Sequence, residues 1–137
     1  MPTGISFLDA LQTRMGYLSG RQKLVAENVA NASTPGYKPK DLAAQDFSAL
    51  VTGSNAGETA LAMARTDGGH LQAEAVRPGG AKVITALDSE TTMDGNSVVL
   101  EEQMLKMAES RMQFEAAVGF YEKSMSLVRM AMKSPGK

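Results

Sequence analysis

Residues 96–132 read NSVVLEEQMLKMAESRMQFEAAVGFYEKSMSLVRMAM. Within them Leu100, Met104, Met107, Arg111, Phe114, Val118, Tyr121, Met125, Val128 and Met132 succeed one another at alternating steps of four and three. Every position but Arg111 is apolar. That spacing predicts the seam of a long helix packed lengthwise on another helix. At 1.5 Å per residue the helix is roughly 50 Å long. Asn96 or Ser97 suits its N-cap, and Glu101 and Glu102 suit its positive end. Glu102 and Lys106 are spaced for an i,i+4 ion pair. Ser134-Pro135-Gly136 ends the helix.

Working back from it, Leu8, Leu11, Met15, Leu18, Gln22, Val25, Val29 and Ala32 show the same alternation near the N-terminus. This is a second seam of about four heptads. Gly16 and Gly20 lie inside it. Each weakens a helix by about 1 kcal/mol relative to Ala, or lets a second backbone approach closely. The helix stops at Ala30-Asn31-Ala32-Ser33-Thr34-Pro35-Gly36-Tyr37-Lys38. Pro35 disfavours a helical Thr34, and Pro-Gly fits the centre of a type II turn. Asn31 and Ser33 are placed to satisfy local backbone groups. Tyr37 offers a ring to pack on the helix and a hydroxyl at its rim.

Between the seams the periodicity fades. Leu42, Phe47, Leu50 and Val51 allow a short amphipathic turn or two. Lys82-Val83-Ile84-Thr85-Ala86-Leu87 suits a short strand, and Ala60–Ala64 fits either state. Glycines punctuate the remainder. The fold expected is all-α: two long terminal helices form a coiled-coil pair, joined by a mostly irregular arm with little β. The parts are 1–37, the N-terminal helix and its turn; 38–95, the arm; and 96–137, the C-terminal helix. Leu105, Met112, Phe120, Leu127 and Met130 lie off the seam and are left to face neighbours in an assembly.

The composition of the 137-residue chain narrows its chemistry. A net charge of −1 disfavours nucleic acid as a partner. The charge is uneven, since residues 1–40 carry five Lys/Arg against Asp9 and Glu27. Without cysteine there is no disulfide, thiol nucleophile or thiolate metal site. No apolar run is long enough to span a membrane, and no secretory signal is read at the N-terminus. Of ten methionines, six lie in the C-terminal helix, where they fill a core or adapt to several neighbours.

No catalytic, cofactor or metal site is expected. His70 is the lone histidine and has no clustered ligands. Gly68-Gly69 and Gly79-Gly80 lack the spacing and lysine of a phosphate loop. Asp88, Glu90 and Asp94 are read as ordinary solvated acids. Arg111 either pairs with an acid of a neighbour or covers the seam with its stem.

The run Ala30 to Lys38 resembles the ANxxTPGYK signature of the bacterial flagellar rod and hook family. Its motif residues here are Ala30, Asn31, Thr34, Pro35, Gly36, Tyr37 and Lys38. Asp94-Gly95-Asn96-Ser97-Val98, Leu100–Met104 and Ser124–Met132 extend the resemblance towards the proximal rod members. The charged Arg111 departs from the pattern, and Thr52–Thr92 offers no motif to match.

The resemblance implies a structural subunit without enzymatic activity or cofactor. Such a subunit leaves the cytoplasm through the flagellar type III export apparatus without a cleaved signal. It assembles helically, through its terminal helices, into the periplasmic rod that transmits torque. The implied partners are itself, the other rod proteins, the adaptor FliE, the MS ring and the export gate. The implied assembly interface is Leu8, Leu11, Met15, Leu18, Val25, Val29, Leu100, Met104, Met107, Phe114, Val118, Tyr121, Met125, Val128 and Met132. A soluble helical adaptor or secretion chaperone is the competing reading of the same seams.

Overall fold

In a computed structural model, residues 4–52 and 81–133 are described, with side chains over 7–51 and 81–133. The element order is α1 (Gly4–Ala30), β1 (Lys40–Leu42), α2 (Phe47–Thr52), β2 (Val83–Thr85) and α3 (Leu100–Met132). Helix α1 has 27 residues and α3 has 33. The two pack along each other as an antiparallel pair. Asn28 meets Gln103 at one end, and Gln12 meets Tyr121 towards the other. The fold is therefore mostly helical, with long helices towards both ends and little sheet.

Among the described residues the sheet is one antiparallel ladder. Lys40 pairs with Thr85, Asp41 with Ile84 and Leu42 with Val83. Its strand β2 lies within the expected 82–87 run, and α2 begins at Phe47, inside the amphipathic stretch expected before Val51, and ends one residue beyond it. The ladder lies against α1 through a fork of two hydrogen bonds. Arg21 Nε and Nη2 reach Asp41 Oδ1 and Oδ2 at 2.9 and 3.1 Å. Paired ends of this kind are the strong form of the interaction. The same fork raises the Arg21 pKa above its usual value, although burial opposes this. Further along α1, the Phe7 and Phe47 rings meet edge to face with centroids 6.5 Å apart, anchoring α2.

On α1, the heptad ladder Leu11, Leu18 and Val25 is buried, with Leu18 and Val25 at 0% exposure. Leu8 and Met15 are half-buried, while Val29 is exposed. On α3 the face against α1 differs from the expected seam. The buried column is Gln103, Ser110 and Ala117, at a spacing of seven. Met107, Phe114, Val118 and Tyr121 are half-buried beside it, whereas Leu100, Met104, Met125, Val128 and Met132 are exposed. The physical reason is rotation. Each of Gln103, Ser110 and Ala117 precedes an expected seam residue by one position, about 100° around a helix of 3.6 residues per turn. Small side chains let the helices approach, and Gln103 is retained because polar partners await it.

Other local expectations change as well. Gly16 has open space about it, and Gly20 meets only the Leu42 side chain at an ordinary distance, so among the described residues no second backbone approaches either glycine. Arg111 pairs with Glu115 one turn along its own helix, with both side chains largely exposed. Surface pairs of this type contribute little. The Ala60–Ala64 run, His70 and both Gly-Gly pairs lie outside the described residues.

Candidate assembly site

The end of α1 and the turn before α3 interlock. Asn31 returns its side-chain amide to the Glu27 carbonyl at 2.8 Å, satisfying a last-turn acceptor. Thr34, Pro35, Gly36 and Tyr37 then form a tight turn. The Tyr37 N–H donates to the Thr34 carbonyl at 3.2 Å, and Gly36 has φ 71°. Positive φ at the third residue is what a type II turn requires, and glycine supplies it without a Cβ clash.

A second turn faces it. The Gly95 N–H donates to the Thr92 carbonyl at 2.9 Å, and Gly95 has φ 84°. A Cβ at Gly95 would lie 3.4 Å from the Gly36 Cα, so the two glycine backbones are in contact. Two backbone hydrogen bonds cross the junction. Gly36 N–H donates to the Asp94 carbonyl at 2.9 Å, and Ser97 N–H to the Tyr37 carbonyl at 3.1 Å.

Asn96 closes the clasp. Its side-chain amide lies 3.0 Å from the Asn31 carbonyl, 3.0 Å from that of Ala32 and 2.7 Å from that of Thr34. Its Oδ1 accepts the Val98 N–H at 2.8 Å. The residue expected to cap α3 thus caps the end of α1. Helix α3 begins instead after Val99, without a side-chain cap on that residue. Asp94 steadies the second turn by accepting from the Thr92 hydroxyl and the Asn96 N–H, which holds its carboxyl below the usual range.

Behind the clasp lies a connected polar cluster. Asn28 is 1% exposed and uses its whole amide. Its Nδ2 donates to the Lys40 carbonyl (2.8 Å) and Gln103 Oε1 (2.9 Å). Its Oδ1 accepts the Lys40 N–H (2.9 Å) and the Tyr37 hydroxyl (3.1 Å). The Tyr37 hydroxyl therefore has the expected place at the helix rim. Burial raises its pKa above the ordinary value, and nearby Glu27 adds to the rise.

Gln103 Nε2 continues the chain to Asp88 Oδ2 at 2.7 Å. That oxygen also accepts the Val99 N–H at 2.9 Å, while Oδ1 accepts Lys106 Nζ at 2.8 Å. Burial works to raise the Asp88 pKa, but the hydrogen bonds from Lys106, Val99 and Gln103 outweigh it and the pKa is lowered. Asp88 is thus no solvated acid; its side chain is fully buried. Lys106 pairs with it rather than with Glu102, which accepts instead from the Ser89 backbone and hydroxyl. At the α3 start, Asp88 supplies the negative charge and the acceptor that a local cap would otherwise provide.

Among the motif residues, Asn31, Thr34, Gly36 and Tyr37 join the clasp directly, Pro35 and Lys38 are exposed, and Ala30 is the exposed last residue of α1. Sequence reasoning missed Asn28, Gln103 and Asp88. The available signal was the uncharged column Gln103, Ser110, Ala117 and Ser124, seven residues apart in a helix otherwise rich in charge. Among the described residues, no group of three or more His, Asp or Glu is placed to hold a metal, and no helix is long and apolar enough to cross a membrane.

Residues 8–38 match the family model for "Flagella basal body rod protein". That span runs from the first seam residue of α1 through the turn that Asn96 clasps. Flagellar basal body rod protein FlgB of Agrobacterium fabrum is 29% identical over 131 residues, covering 94% of each chain. The chain is thus similar to flagellar basal body rod proteins over its N-terminal segment and along most of its length. FlgB of Escherichia coli K12 is 25% identical over 108 residues, 78% of each chain, and FlgB of Proteus mirabilis is 28% identical over 116 residues, 80% of each. The matched N-terminal segment carries one half of the clasp, and the turn before α3 carries the other.

Proposed function

We propose that the chain is a structural, non-enzymatic subunit of the proximal rod of the flagellar basal body. It assembles helically through its terminal helices into the shaft that transmits torque. The observation that carries this reading is the apolar surface of α3. Leu100, Met104, Leu105, Met112, Phe120, Met125, Leu127, Val128, Met130 and Met132 are all exposed in the single chain. So many exposed apolar side chains on one helix mark an interaction surface. Among FlgB-like chains, further rod subunits are the partners that suit it.

Two layers of the interface then separate. Leu11, Leu18 and Val25 hold α1 to α3 within one subunit. Val29, Leu100, Met104, Met125, Val128 and Met132 stay available to neighbours, with Leu8, Met15, Met107, Phe114, Val118 and Tyr121 bordering both. FliE, the MS ring and the export gate are the partners proposed at the base of the rod. The localisation proposed is the periplasmic part of the rod, reached through the flagellar export apparatus.

The test is deletion of the gene, followed by complementation with a tagged copy. Loss of swimming and recovery of the tagged chain in purified basal bodies are expected. Normal motility of the deletion strain, or a tagged chain confined to the cytoplasm, would overturn the reading in favour of a soluble adaptor.

A further inference from the structure

The apolar seam of this hairpin discriminates poorly between registers. On α1 the buried ladder is Leu11, Leu18 and Val25; on α3 the facing column is Gln103, Ser110 and Ala117. Both repeat every seven residues. Sliding one helix by a heptad, about 10 Å, brings the Leu/Val ladder back onto small side chains with little change in apolar contact.

The polar contacts do not repeat in this way. Asn28 bonds Gln103, and a heptad slip would set it against Ser110 instead. Asn96 reaches three carbonyls at the end of α1, and the same slip would withdraw the turn that carries it. Both contacts lie at the closed end of the hairpin. Towards the open end, among the described residues, the helices are bridged by the exposed Gln12–Tyr121 bond and the Arg14–Gln113 bond at 3.0 Å.

We infer that Asn28, Gln103 and Asn96, beside the Gly36–Asp94 and Ser97–Tyr37 backbone bonds, form a register lock: these polar contacts, and not the apolar seam, fix how far α3 is staggered along α1. A buried amide that sets register at some cost in stability is a known use of such groups in paired helices. The consequence here is specific. The stagger decides how much of α3 extends past α1, and so which apolar side chains are left for a neighbour. The lock belongs to the single chain and does not depend on the proposed function.

The chain has no cysteine, so the test is clean. Ser19 and Ala108 are exposed and outside the lock. Each is changed to Cys in the full chain, spin-labelled, diluted with unlabelled chain and measured by pulsed electron resonance. The parent gives one narrow distance. Adding Asn28→Leu, Gln103→Leu and Asn96→Ala is expected to produce a second population displaced by about 10 Å, or a broad distribution, while the helical circular dichroism persists. One unchanged narrow distance in that variant overturns the lock. If the triple variant loses its helical signal, Asn96→Ala alone decides on the same two outcomes. Val25→Ala serves as the control and keeps a single distance; a slipped population there, absent from the polar variants, would assign register to the seam instead.

Discussion

The side-chain amide of Asn96 lies 2.7 Å from the carbonyl of Thr34, and within 3.0 Å of two further carbonyls at the end of α1. Two N–H groups thus serve three acceptors separated from them by more than sixty residues of chain. The helix stop, the following turn and the start of the return helix form one structural unit.

Asn96→Ala removes that capture: the Asn31 and Thr34 carbonyls keep the Thr34 and Tyr37 N–H groups, while the part-buried Ala32 carbonyl loses its donor among the described residues. A loss of about 1–3 kcal/mol is expected, read as a lower urea midpoint of the helical signal. Asn96→Asp should be worse than Ala, because it faces the same carbonyls with negative charge. Equal midpoints for Ala and Asp would contradict this assignment of the amide.

The two turn glycines should respond unequally. Both have positive φ, so Ala at either costs about 1–2 kcal/mol in backbone strain. At Gly36 the new methyl meets open space, whereas at Gly95 it lies at contact distance, 3.4 Å, from the Gly36 Cα, a backbone atom that cannot turn aside as a side chain can. Gly95→Ala should therefore melt lower than Gly36→Ala, and the reverse order would refute the close packing of the turns.

These residues also show what periodicity can and cannot reveal. Leu11, Leu18 and Val25 were readable because a buried apolar ladder repeats at the helical period. The Thr34–Tyr37 turn was readable because Pro and Gly restrict the backbone locally. The α3 contact face was not readable from apolar periodicity. Hydrophobicity alone selects Met104 and Val118 over Gln103 and Ala117, although the latter pair faces α1. The role of Asn96 was hidden because its partners are remote in sequence, and nothing near Asp88 announces that Lys106 and Gln103 will enclose it.

Acid should weaken the fold through Asp88. Its folded pKa lies below the unfolded value of about 3.9. Its stabilisation is therefore complete above that unfolded value and is lost as pH falls towards and through the folded pKa. Chemical denaturation followed between pH 6 and pH 2.5 should show this decline. Asp88→Asn should be less stable at pH 6 and lose less on acidification. Parallel curves for the two proteins would exclude Asp88 as the source.

Ser110 presents the opposite case. Its hydroxyl is fully buried on the α1 face and has no hydrogen-bond partner among the described residues. Removing an unsatisfied group relieves a desolvation cost of about 1–3 kcal/mol, less the small cavity left behind. Ser110→Ala should raise the thermal midpoint, and a lower midpoint would reveal a partner for the hydroxyl.

The most direct measurement of assembly uses Met104→Asp with Met112→Asp. Both methionines are about two-thirds exposed in the single chain, at 64% and 66%, so the new charges stay hydrated and the fold should persist by circular dichroism. Basal bodies purified from a deletion strain carrying this variant should lack the chain, and the cells should not swim. A variant that enters basal bodies at the parental level and restores swimming would contradict the claim that the open apolar surface of α3 builds the rod.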